Sequence, residues 1–132
     1  MKGFIPYDYR DGQPEPWEYM EATAISAAKI GMALTLSSGQ LDEATGTTRP
    51  SYICMYEGAV AAGDIIPVIR VNEETRFLTT FSAAATSINP GDLVTIHTDA
   101  LQVTATTTSG VAEVCEIRDT AVGGEVIVRF PA

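Results

Sequence analysis

The chain has 132 residues, 45% of them hydrophobic, a formal net charge of -9 and two cysteines. That is one domain's worth of sequence, able to bury a core without metals or disulfides, while its acidic balance is wrong for a nucleic-acid groove, which needs a basic face. Charges are too sparse for a disordered acidic tail, and no uncharged apolar run is long enough to span a bilayer.

Residues 1–16 stand apart, holding three of the seven prolines together with Tyr7, Tyr9 and several Asp and Gly residues. Proline at close spacing favours extended backbone and blocks regular ladders. An extended N-terminal arm is expected, with Phe4, Ile5, Tyr7 and Tyr9 as anchors, tied to its own domain or reaching a neighbour. The first residues show no apolar h-region with a cleavage site, so a cytoplasmic protein, or one released in a particle, is expected.

From residue 17 to 132 a single β domain is expected. Trp17 to Thr23 reads as a strand with Trp17 and Tyr19 on one side. The run Tyr19 to Lys29 also has residues that suit a short helix; strand followed by loop is the preferred reading. Strands are expected at Met32 to Leu36 and Leu41 to Ala44, then a loop over 45–50. Tyr52 to Tyr56 is apolar on both faces, as in a strand covered on both sides. Gly58 to Asp64 is a link into a strand at Ile65 to Val71, where Pro67, lacking a donor, points to an edge or a bulge.

Asn72 to Thr75 reads as a hinge, beyond which the order recurs. Phe77, Thr79 and Phe81 face one way, and strands follow near 93–98, 101–106, 111–117 and 125–130, with Val126, Val128 and Phe130 inward. Lys29-Ile30-Gly31-Met32 lies sixty residues before Asn89-Pro90-Gly91-Asp92. Trp17 to Ala22 lies opposite Phe77 to Ser82 at the same offset. One inserted residue then sets Tyr52 to Glu57 opposite Glu113 to Arg118, pairing Cys54 with Cys115. Two similar units, about 17–71 and 77–130, are expected to build a compact small β-barrel or β-sandwich.

No catalytic set emerges. His97 is the single histidine and lacks an evident partner for general-base or zinc chemistry. Cys54 and Cys115 sit in apolar runs, where cysteine serves as a small buried hydrophobe. Asp42-Glu43 and Glu73-Glu74 are adjacent in sequence, so in extended backbone they point to opposite faces. No cofactor, no metal and no enzymatic activity are expected. Trp17, Tyr19, Tyr52 and Tyr56 suit stacking on sugar rings and suit core or interface anchoring equally.

The order of glycine turns and apolar strands in Lys29 to Leu34, Ala61 to Val68, Ile88 to Val94 and Ala121 to Phe130 resembles the small head decoration proteins of tailed bacteriophages. The resemblance covers roughly Trp17 to Phe130. It implies a virion structural protein on the outer surface of the capsid, made in the host cytoplasm, commonly a homotrimer, that cements neighbouring major capsid protein subunits. It implies no catalytic residue, no nucleic-acid partner and no membrane partner. Phe4, Ile5, Tyr7, Tyr9, Trp17 and Tyr19 then become the candidate capsid or subunit contacts. The alternative is a virion-borne carbohydrate- or host-surface-binding β module.

Overall fold

Short runs of alternating apolar residues bounded by glycine turns fold as strands, except that the strand expected near 93–98 is cut to Leu93–Val94 and the one expected near 101–106 is reduced to isolated bridges at Val103. The computed structural model describes residues 3–9 and 12–132, and among these there are twelve strands and no helix. Met1, Lys2, Arg10 and Asp11, part of the expected arm, lie outside the described residues.

The first sheet runs β2 (Trp17–Glu21), β8 (Ile65–Arg70), β6 (Tyr52–Cys54), β4 (Ala33–Ser37), β5 (Gln40–Glu43). The second runs β1 (Ile5–Asp8), β9 (Arg76–Thr80), β12 (Glu125–Arg129), β11 (Ala112–Ile117), β10 (Leu93–Val94). Every ladder within them is antiparallel. The two sheets share one core in a sandwich-like arrangement. Neither closes into a barrel; a parallel bridge from Ala22 to Leu41 links the β2 and β5 sides of the first, and in the second a parallel bridge ties Phe81, just after β9, to Val103.

The duplication is written in the hydrogen bonds. Gly31 N–H donates to Cys54 O at 2.8 Å, and Gly91 N–H to Val114 O at 2.7 Å. Ala22 N–H donates to Asp64 O at 2.9 Å and Phe81 N–H to Gly124 O at 3.0 Å; Ser51 to Leu34 and Val111 to Val94 form a third matched pair. Gly31 and Gly91 take φ of 95° and 97°, a region that favours glycine.

These pairs correct the expected alignment by one residue in two places. Cys54 pairs with Val68, and Val114 with Val128, so Val114 is the counterpart of Cys54. Cys115 falls in the register shift between Val114 and Glu116, a bulge that absorbs the extra residue. Glu18, not Trp17, is the counterpart of Phe77, since Glu18 pairs with Val68 and Phe77 with Val128. With a side-chain period of two, that single step turns Trp17 to the outer face.

Other expectations meet a mixed outcome. Phe77, Thr79, Phe81, Val126, Val128 and Phe130 are buried as expected, and Tyr52, Ile53 and Cys54 are buried on both faces. Residues 25–28, expected as loop or helix, form β3 (Ile25–Ala28), which pairs with β7 (Gly58–Val60) in a small third sheet. Pro67 lies in an inner strand rather than at an edge. The β6 ladder stops at Cys54, opposite Val68, so the proline meets no ladder donor demand on that side, and its carbonyl accepts Met55 N–H at 3.0 Å. At the hinge, Asn72 Oδ1 accepts the N–H groups of Glu74 and Thr75 at 2.8 and 2.9 Å, closing the turn with a side chain.

The beginning of the chain stitches the units together. Gly3 N–H donates to Leu101 O at 2.9 Å in the second unit, and Phe4 N–H to Gly31 O at 2.7 Å in the first. Phe4 is fully buried. Residues 5–8 then add to the edge of β9, Ile5 opposite Leu78 and Asp8 opposite Arg76.

Candidate interaction surface

Strand alternation decides which side chains β2 offers outward. Met20 turns toward the core, while Trp17, Tyr19 and Glu21 share the opposite face. Trp17 is 54% exposed and Tyr19 67% exposed, and beside them on β8 stands Ile65 at 68%. The register sets Tyr19 against Pro67 and Glu21 against Ile65. The result is an aromatic and aliphatic row on a sheet face, four residues brought together by two strands 48 positions apart in sequence, Trp17 to Ile65.

Polar pairs lie on both faces of these strands, Gln40 with Glu21 on the face of the row and Arg70 with Glu18 on the other. Arg70 donates to both carboxylate oxygens of Glu18 at 3.1 and 3.0 Å and lies 5.1 Å from the centre of the Tyr52 ring. The hydrogen bonds from Arg70 reach an exposed pair, so they position side chains more than they stabilise the fold. Gln40 Nε2 donates to Glu21 Oε1 at 3.1 Å.

The arm's aromatics are arranged differently. Tyr7 is exposed between two guanidinium groups, Arg76 at 5.8 Å and Arg118 at 5.3 Å from its ring centre, and its hydroxyl accepts from Arg118 at 2.9 Å. Asp8 takes a bidentate pair of hydrogen bonds from Arg76, which hold its carboxyl below the usual range and hold the guanidinium charged. Tyr9 is half-buried on an open cleft of about 380 Å³ shared with Asp8, Glu73, Glu74, Arg76 and Arg129. Burial, with the Glu15 charge adding to it, pushes the Tyr9 phenol up. Ile5 is half-buried beside Leu78, and Phe4 is enclosed by its own domain. Of the six expected contact residues, Trp17 and Tyr19 form one surface, Ile5, Tyr7 and Tyr9 dress the β1 edge, and Phe4 belongs to the core.

The nucleophile and base candidates occupy quiet places. Cys54 is buried, its thiol donating to Tyr56 O at 3.3 Å, and burial raises its pKa; Cys115 is half-buried and raised for the same first reason. Both are free thiols. A raised thiol pKa leaves little thiolate at neutral pH and hence a weak nucleophile. Burial also raises the Glu43 carboxyl, reinforced by the charges of Asp42 and Asp99. Among the described residues no three His, Cys, Asp or Glu side chains gather as a metal site.

Ile65 and Arg118 are not singled out by the sequence, and Pro67 is marked there only as a residue that lacks a backbone donor. The signal for Ile65 was available: Ile65 and Ile66 are adjacent in one strand, so one of the two must face outward. Arg118 carried no local signal, because Tyr7 is 111 positions away. The chain matches no family model, and no curated protein matches it in sequence.

Proposed function

We propose that this chain is a virion structural protein that decorates the outside of a tailed-bacteriophage head, where homotrimers cement neighbouring major capsid protein subunits without catalysing a reaction. The observation that carries the reading is the row of Trp17, Tyr19 and Ile65, large apolar groups held outward on a rigid sheet. Exposed aromatics anchored on a preorganised scaffold are suited to protein contact rather than to solvation. The sequence resemblance and the all-β duplicated body support the same role. The net charge of -9 disfavours contact with packaged DNA and suits the outer face of a shell. Trimers on a lattice multiply modest single contacts, since every trimer binds at several points.

The test is sedimentation of purified protein with expanded capsids lacking their decoration protein. The protein is expected to co-sediment at saturating stoichiometry and to raise the temperature at which the capsids rupture. Trp17→Ala with Tyr19→Ala is expected to weaken binding by one to several kcal/mol, about the range of interface anchors. Failure to bind expanded capsids overturns the reading.

A second reading draws on the same two rings. Trp17 and Tyr19 lie on one face with Glu21, whose carboxylate accepts from Gln40, a combination that also suits a pyranose ring stacked on an aromatic plane. Binding to purified cell-surface glycan, lost in the same double variant while capsid binding is absent, would favour it.

A further inference from the structure

The internal duplication supplies a template for what is missing from one edge. In the second unit, the outer edge of β9 is covered: β1 pairs with it, Ile5 opposite Leu78 and Asp8 opposite Arg76. In the first unit the equivalent edge belongs to β2, with Tyr19 in the place of Leu78 and Trp17 in the place of Arg76, because Glu18 and Phe77 face equivalent valines on β8 and β12. No described segment pairs with Trp17 or Tyr19 on that side; the bridge from Ala22 to Leu41 covers the edge only beyond them.

The direction of the free backbone groups follows from Pro67. Its carbonyl points to Met55 on the β6 side, so in the antiparallel ladder Tyr19, its partner, turns its N–H and C=O away from β8. Ala22 N–H does point at the β8 side, donating to Asp64 O, which sets the same alternation. Trp17 and Tyr19 therefore carry both the unpaired backbone groups and the two most exposed aromatic rings of the chain.

We infer that the β2 edge is a docking site for an extended, cationic β-strand of another polypeptide, added antiparallel beside Trp17 and Tyr19 as β1 is added beside Arg76 and Leu78. Charge complementarity selects this occupant. The second unit offers a cation, Arg76, and takes an acid, Asp8; the first offers Glu21, which among the described residues is held by the neutral Gln40 amide. The rings of Trp17 and Tyr19 suit lysine or arginine in the way that Tyr7 already receives Arg76 and Arg118. A second copy of this chain, with its net charge of -9, is repelled from the same place. Main-chain hydrogen bonds would give affinity and alternate side chains the selectivity.

Peptide binding at this edge, which shares Trp17 and Tyr19 with the proposed capsid contact, is measured on the purified full chain without capsids. The probes are a short peptide alternating valine and lysine, its valine and glutamate counterpart, an N-methylated lysine version that cannot extend a ladder, and cellohexaose. The readouts are the emission of Trp17, the single tryptophan, and hydrogen exchange at the Trp17 and Tyr19 amides. The lysine peptide is expected to shift the emission and to slow exchange at both amides by roughly tenfold or more at saturation, while the other three probes leave both unchanged. Tyr19→Lys is expected to remove the response without lowering the unfolding temperature, since Tyr19 is 67% exposed. The wild-type protection pattern decides the matter even if that variant fails to fold. No protection with the lysine peptide, equal protection with the glutamate or N-methylated peptide, protection at Leu78 instead, or a response to cellohexaose each overturns the inference.

Discussion

Phe4 meets Phe130 edge to face, with ring centres 5.3 Å apart, and both rings are fully buried. One residue comes from the first few of the chain and the other follows its last strand, and Phe77 joins them with its ring centre 5.6 Å from that of Phe130. The arm is thus part of the core before it is anything else. Phe4→Ala removes a buried ring and leaves a cavity, at a cost of about 3–5 kcal/mol. Urea denaturation is expected to show that loss, whereas Tyr7→Ala, at an exposed site, is expected to cost far less.

Gly31 and Gly91 form a matched pair with unequal surroundings. A Cβ at Gly31 would lie 2.8 Å from both Gly3 Cα and Phe4 N, whereas at Gly91 it meets nothing within 4 Å. Both positions have positive φ, so Gly91→Ala pays about 1–2 kcal/mol of backbone strain. Gly31→Ala adds a backbone collision to that strain, and it is expected to be the more destabilised variant and to free the arm. Limited proteolysis near Tyr7 and Tyr9, faster for Gly31→Ala than for Gly91→Ala, is the check.

The Asp8 and Arg76 pair predicts how arm docking varies with pH. The folded Asp8 carboxyl is held below its ordinary value by the Arg76 hydrogen bonds, so its contribution is fully present above about 3.9, the unfolded value, and is lost as pH falls through the lower folded value. The pair is more than a third exposed, so the effect on global stability is small. Protection of the Ile5 and Leu78 amides, relative to their intrinsic exchange at each pH, is expected to fall below about pH 4 in the wild type, and Asp8→Asn is expected to remove that fall.

The two thiols are expected to react slowly and unequally. Burial raises both, but Cys54 is enclosed while Cys115 is partly open in its bulge. Iodoacetamide at pH 8 is expected to label Cys115 more slowly than a free thiol and to leave Cys54 untouched until the protein is unfolded. Mass spectrometry of the labelled peptides would check it.

What the sequence determined by itself was everything carried by local pattern. The glycine turns at Gly31 and Gly91, the alternation through Phe77, Thr79 and Phe81, and the closing strand through Val128 are short-range signals, and they announced an all-β chain of two similar units. Trp17 and Tyr19 sharing a face follows from period two alone. Tertiary structure decided the rest, because it depends on partners far along the chain. Pairing set Glu18 rather than Trp17 in the register position of Phe77, placed Val114 where Cys115 was expected, and gave Pro67 an inner strand by ending β6 one residue short of it. A one-residue shift costs nothing in local propensity yet exchanges inside for outside, so only the assembled ladders put Trp17, Tyr19 and Ile65 on the surface as one row and spent Phe4 in the core.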